Sequence, residues 1–262
     1  MRPNVSAIWR RLPSDLGARI DQCIRSGNEI ADATGGTTLF FRADDVGVPG
    51  MQFERMMELF ATYGVPLSLA IVPAWLTADR WQYLNGFEKN HPARWCWYQH
   101  GWRHVNHEAE GKKQEFGNAR SLAQIKQDLR RGQRRLEALM AQAFYPVFTP
   151  PWNRCNANTL QILKDLGYAA VSRSRGAKPP APGGLPDYYV NVDLHTRRER
   201  DAAAGWHNLL HELEQAIASG FCGIMIHHQL MNAAAFDFLE LLLKALSKNA
   251  AIRLANFKDL GR

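Results

Sequence analysis

The strongest constraint on the fold of this chain is a regular alternation of short strand-like runs with amphipathic helical stretches, beginning near Thr37 and continuing almost to the end of its 262 residues. Such alternation is the pattern of an α/β domain built around a parallel sheet. The run 37–46 (TTLFFRADDV) predicts a buried strand, 52–63 a helix closed by Gly64, and 66–72 a second strand stopped by Pro73. A helix over 79–90 and a strand over 95–99 follow. The clearest helix comes next, 121–141, where Leu122, Ile125, Leu129, Leu136 and Leu139 form one stripe and Ser121 with Gln124 fits a capping box. Strands over 145–150, 169–173, 188–194, 223–228 and 252–255 alternate with helices over 158–166, 205–219 and 232–246. Seven or eight strand–helix repeats in about 225 residues suit a closed (β/α) barrel better than an open doubly wound sheet, which would place a glycine-rich phosphate loop after the first strand. No such loop is present.

The first 35 residues carry one amphipathic helix, around 16–30, so the expected organisation is an N-terminal helical extension (1–36) packed on a barrel (37–262). Two segments have loop composition, the charged stretch 108–120 and the proline- and glycine-rich stretch 175–187, and both are candidates to border an active site. With 46% hydrophobic and 22% charged side chains the composition excludes intrinsic disorder. The most apolar window, 221–246, is broken by His227, His228, Gln229, Asn232 and Asp237, so no membrane span is expected. At the N-terminus the apolar stretch 5–9 meets Arg10 and Arg11 at once, leaving no room for a secretory h-region, and a cytoplasmic protein is expected. Cys23, Cys96, Cys155 and Cys222 lack any paired spacing and read as buried thiols.

Lys and Arg exceed Asp and Glu by 32 − 25 = 7, a balance that favours anionic partners. The densest basic run, Arg130, Arg131, Arg134 and Arg135, lies opposite the apolar stripe of its helix and reads as a solvated face rather than a nucleic-acid contact.

In a parallel α/β barrel the reacting groups sit at the carboxyl ends of the strands. Four predicted ends carry polar clusters: Asp44-Asp45, His100 to His104 (HGWRH), Thr149 to Asn153 (TPPWN) and His227-His228. Burying so many ionisable groups together without a function would be costly, so their convergence points to a metal site. One aspartate with two histidines suits Zn²⁺ or another divalent first-row metal and leaves positions open for water and substrate, the arrangement of a hydrolase. Asp44 and Asp45 are neighbours on a strand and face opposite ways unless the strand has turned, so they are expected to divide the labour.

These residues resemble the polysaccharide deacetylases, the carbohydrate esterase family 4 or NodB-homology group, and the resemblance implies a distorted (β/α)7 barrel that removes N- or O-acetyl groups from sugars. The first motif is matched by Phe41-Arg-Ala-Asp44-Asp45, which implies Asp44 as general base and Asp45 as metal ligand. The second is matched by His100-Gly-Trp-Arg-His104, implying that both histidines complete the metal triad. Phe148-Thr-Pro-Pro151-Trp152-Asn153 is similar to the third, where a backbone N–H near Trp152 would help hold an oxyanion. Asn191-Val-Asp193-Leu194 partly matches the fourth, implying an aspartate beside the catalytic histidine, and Gly223-Ile-Met-Ile-His227 resembles the fifth, whose histidine is the general acid.

The chain departs from the family pattern in ways that mark a divergent member. The third-motif arginine that orients the base is Thr149 here, and Arg42, on the same strand face as Asp44, or Arg154 is expected to replace it. His228 stands where an aspartate is frequent and competes with His227 for the role of acid, and Leu194 replaces a tryptophan. Trp102 and Trp152 offer faces for stacking on sugar rings. The resulting expectation is a metal-dependent deacetylase, with Zn²⁺ or Co²⁺ as cofactor and an acetylated sugar or glycan as partner. Its rivals are a hydrolase of a non-sugar amide or cyclic imide, and a catalytically silent sugar-binding homologue.

Overall fold

The computed structural model describes residues 6–32, 35–91 and 93–261. They fall into two compact units, one made of Met1–Arg42, Gly50–Leu67 and Asn191–Ala255, the other of Ala43–Pro49, Ser68–Val190 and Asn256–Arg262. The expected 1–36 extension includes residues 1–5, 33 and 34, which lie outside the described residues.

In the first unit the amino-terminal part of β1 (Thr37–Val46) pairs in parallel with β8 (Ile252–Ala255), Thr37 standing opposite Ile252 and Phe40 opposite Ala255. On its other side β1 neighbours β7 (Phe221–Ile226), which pairs with the two-residue β6 (Val192–Asp193). Four helices accompany this sheet, α1 (Leu16–Ala31), α2 (Met51–Tyr63), α6 (Ala202–Ala218) and α7 (Ala233–Ser247), with α6 against β6 and β7. The α1 stripe of Leu16, Ile20, Cys23, Ile24 and Ala31 is buried against α6 and α7. The α1–α6 crossing is close because residue 27 is glycine: a Cβ there would lie 2.8 Å from two carbons of Ile217.

The second unit contains β2 (Leu67–Ile71) from Ser68 onward, β3 (Trp95–His100), β4 (Phe144–Thr149) and β5 (Ala170–Val171), in the order β5-β4-β3-β2 and then the carboxyl end of β1. The β3–β4 register places His100 opposite Thr149. Four helices accompany them: α3 (Ala78–Asn90), α4 (Leu122–Met140), α5 (Ala157–Asp165) and the short α8 (Phe257–Leu260). Helix α4 starts on the expected capping box, since Ser121 accepts from the Gln124 backbone N–H while the Gln124 side chain accepts from that of Ser121. Its buried Ile125 and Leu129 join Phe116, Phe148, Leu160, Leu163 and Val171 in one core. Burying each large apolar side chain contributes about 1.5–3 kcal/mol.

The element order follows the sequence expectation closely, with two strands shortened. The run expected as one strand over 188–194 is divided: the Tyr188 and Val190 N–H groups donate to Val171 and Arg173, whereas that of Asn191 donates to Gly223. All four cysteines are free and buried, as expected. No helix among the described residues is long and apolar enough to cross a membrane.

Candidate active site

In the second unit, Asp45, His100 and His104 offer ligand atoms that all lie within 4.8 Å of one another. His100 Nε2 is 3.2 Å and His104 Nε2 3.1 Å from Asp45 Oδ1. The local backbone is bent to make this possible. Asp45 and His104 both hold φ at 61°, and Gly101 between the two histidines holds φ at 59°. A non-glycine residue in the left-handed region costs of order 1–3 kcal/mol, and such residues collect at functional sites. The turn at Asp45 answers the problem posed by two adjacent aspartates on a strand. Asp44 is 2% exposed, and its charge, like that of Asp45, is felt by both His100 and His104.

His100 Nδ1 lies 3.0 Å from the Thr149 carbonyl, which can only accept, so Nδ1 carries the proton. In a neutral ring Nε2 is then an acceptor, and it faces an Asp45 carboxylate oxygen that also only accepts. Two lone pairs at 3.2 Å need a proton or a cation between them. Burial works against a charged His100, yet the Asp45 hydrogen bond and the charges of Asp44 and Asp45 outweigh it and raise its pKa above the ordinary imidazole value. In His104, burial and the neighbouring His100 outweigh the aspartates and lower its pKa. A cluster that draws positive charge onto one imidazole while a second stays neutral fits a divalent cation held by one carboxylate and two imidazole nitrogens.

Glu115 is a part of this site that motif reading did not single out. Its 1%-exposed carboxylate accepts the backbone N–H groups of Trp102, Arg103 and His104, at 3.1, 2.7 and 3.2 Å. Burial raises its pKa, and those three donors and the His100 charge pull it back. The 108–120 segment therefore does border the site, because it delivers the group that closes the histidine turn. Only the burial demanded of a charged residue in a loop next to Phe116 could have signalled it.

Trp152 and Asn153 follow Pro151 in a tight turn with φ at 57° and 60°. The Trp152 ring lies 4.5 Å from the His104 ring, and Trp75 approaches the same imidazole at 6.0 Å. Trp102 is anchored at both ends of its peptide, its N–H to Glu115 and its carbonyl to the Ala74 N–H, with its ring against the Phe116 core. Arg154 is 3.5 Å from the Lys113 carbonyl.

The first unit carries the other expected residues. Arg42 is fully buried, and its Nη2 lies 2.9 Å from Met225 Sδ. The Asp193 carboxylate accepts from the backbone N–H groups of His195 and Thr196 and from the Thr196 hydroxyl. His227 donates its backbone N–H to His195 Nδ1 at 3.2 Å, and its own buried Nδ1 has no hydrogen-bond partner among the described residues. His228 is 2% exposed, with Phe53 edge-on at 5.7 Å.

The family profile described as polysaccharide deacetylase matches residues 44–171, the span from the aspartate pair through the Pro-Pro-Trp turn. Among solved structures, a polysaccharide deacetylase from Mycobacterium smegmatis is 13% identical at TM-score 0.61, covering 80% of this chain and 75% of that one. A family 4 carbohydrate esterase from Streptomyces lividans, solved with acetate, is 13% identical at TM-score 0.51, with coverages of 85% and 93%. A family 4 pseudoenzyme from Bacillus anthracis is 12% identical at TM-score 0.54, with coverages of 87% and 66%. Comparison with curated proteins gave no match. At these identities the structures speak to fold alone, and the fold is the expected α/β class of distorted (β/α)-barrel type. Residues 44–171 thus resemble the polysaccharide deacetylase family, and the chain shares the fold of these structures at the low identity of a divergent relative.

Proposed function

We propose that this protein is a metal-dependent hydrolase that removes an acetyl group from an N- or O-acetylated carbohydrate. The observation that carries the reading is the Asp45–His100–His104 cluster, whose facing acceptor atoms call for a cation. Zn²⁺ suits one carboxylate oxygen and two imidazole nitrogens, and a family 4 acetyl xylan esterase from Clostridium thermocellum with a similar fold (10% identity, TM-score 0.54) was solved in complex with a cobalt ion. When bound, such an ion polarises the acetyl carbonyl and makes water acidic enough to attack near neutral pH.

The chain's own residues supply the rest. Asp44, buried beside the two imidazoles, takes a proton from the attacking water, and a main-chain N–H near Trp152 steadies the negative oxygen as the carbonyl carbon becomes tetrahedral. His227 gives a proton to the departing amine or alcohol, so that acetate and the free sugar group leave together. Arg42 orients Asp44 in place of the arginine that Thr149 replaces. Trp102, Pro151, Trp152 and Asn153 would line the sugar site, with Asp193 and His228 in support.

The test is acetate release from a panel of N- and O-acetylated sugars, with added Zn²⁺, with Co²⁺ and with a chelator. Metal-stimulated, chelator-sensitive release supports the proposal. Stoichiometric metal binding without release from any substrate would overturn it in favour of a silent homologue, comparable to the family 4 pseudoenzyme of Bacillus anthracis.

A further inference from the structure

We infer that the arginine-lined depression of the first unit binds an oxyanion, and, resting on the deacetylase reading, that the acetylated substrate is itself acidic, bearing a carboxylate or a phosphate. The depression has a volume of about 830 Å³ and is lined by Arg10, Arg197, Arg198 and Arg200 with Glu199 as its one carboxylate, so four guanidinium groups stand against a single negative charge. Arg197 is already matched: it lies 2.6 Å from Glu199 and 2.7 Å from Glu212. Arg10, Arg198 and Arg200 are exposed and enter no ion pair among the described residues. Three unmatched guanidinium groups on one depression repel one another, and an anion relieves them; the planar guanidinium fork suits carboxylate and phosphate alike.

A second observation points the same way. His195 lines the depression and is 7% exposed. Its Nδ1 accepts the His227 N–H, and burial, with the nearby charges of His227 and His228, lowers its pKa to about 3, so the neutral ring carries its proton on Nε2. That Nε2–H, and the Nε–H of Arg197, are buried donors with no hydrogen-bond partner among the described residues. Buried N–H groups are ordinarily satisfied, and two orphaned donors beside an excess of positive charge are what an oxygen-rich anion would complete. His195 also links the depression to the backbone of His227, the proposed acid.

The full-length protein titrated calorimetrically with glucuronate, with inorganic phosphate and with glucose tests the binding, and the first two arms tell a carboxylate from a phosphate preference. The expected result is saturable binding of at least one anion, none of glucose, weakening with salt, and a tenfold or greater loss in the Arg198→Ala/Arg200→Ala protein. Arg10→Ala serves as an independent second variant should the double variant fold poorly. No binding of either anion, or binding that both variants leave intact, would overturn the inference. Activity supplies the link to substrate: the ratio of kcat/KM for acidic over neutral acetylated sugars should fall about tenfold in the double variant, and an unchanged ratio counts against an acidic substrate. If no sugar is deacetylated, the hydrolase reading fails while the titration still decides the anion site.

Discussion

The carboxylate of Glu115 occupies the space that a side chain at residue 101 would need. A Cβ built on Gly101 collides with Glu115 Oε2 and comes within 2.6 Å of the Pro151 ring, and Gly101 also holds a positive φ of 59°. The histidine turn is therefore built from an absent side chain and a distant carboxylate together. Gly101→Ala should lower metal affinity at least tenfold, measured by competition with a chromogenic chelator. Glu115→Ala leaves three part-buried N–H groups without their acceptor and should cost about 3 kcal/mol in urea denaturation, with Glu115→Gln recovering part of the loss.

Asp45 touches both imidazoles, so its removal should act on metal before anything else. Asp45→Ala is expected to bind no zinc by elemental analysis and to lose acetate release altogether. In the parent protein, Zn²⁺ at about a thousandfold excess over Kd should add about 4 kcal/mol of stability, and that increment should vanish in the variant. A fully active, metal-loaded Asp45→Ala protein would remove the basis of the site assignment.

Arg42 is buried without exposure and lies two residues before Asp44 on β1. Arg42→Met fills similar space without the charge. Turnover should fall about a hundredfold or more while zinc content stays at the parent value, since Arg42 is not among the ligands. Unchanged turnover would return the question of what orients Asp44 to Arg154.

His195 makes stability depend on pH with a definite sign. Its pKa is about 3 in the folded protein, against an ordinary value of 6.5, so between these values the unfolded chain holds a proton that the folded one lacks. The stabilisation is complete above 6.5 and is lost as pH falls towards 3, by up to about 1.4 kcal/mol per pH unit. Unfolding free energies measured at pH 7 and pH 5 should show a smaller acid loss in His195→Gln than in the parent. An identical slope in the two proteins would exclude His195 as its source.

Much of this molecule was legible because local signals agreed with one another. The α4 stripe and capping box located that helix to within a residue at each end, and the chemistry-bearing motifs all fall at or just after the ends of strands. What stayed hidden depends on partners far apart in sequence. Glu115 looks like one more charge in a polar loop until the chain brings it to Trp102, Arg103 and His104. The 188–194 run carries continuous strand character, and only tertiary pairing shows that its Val190 and Asn191 donate to different strands' neighbourhoods, Arg173 and Gly223. The positive φ values at Asp45, His104, Trp152 and Asn153 break residue-level expectation at the places where the proposed site needs a turned backbone.

The three N–H groups held by Glu115 carry a consequence for biosynthesis. The proposed metal ligand His104 leaves the ribosome eleven residues ahead of the carboxylate that fixes its turn, and Thr149, whose carbonyl sets the tautomer of His100, emerges later still. A nascent chain ending between these points already contains every proposed ligand yet lacks the framework that aims them. Ion capture should thus be a late event in maturation, and translation-arrested chains extended past residue 149 should be the first to retain zinc with native affinity.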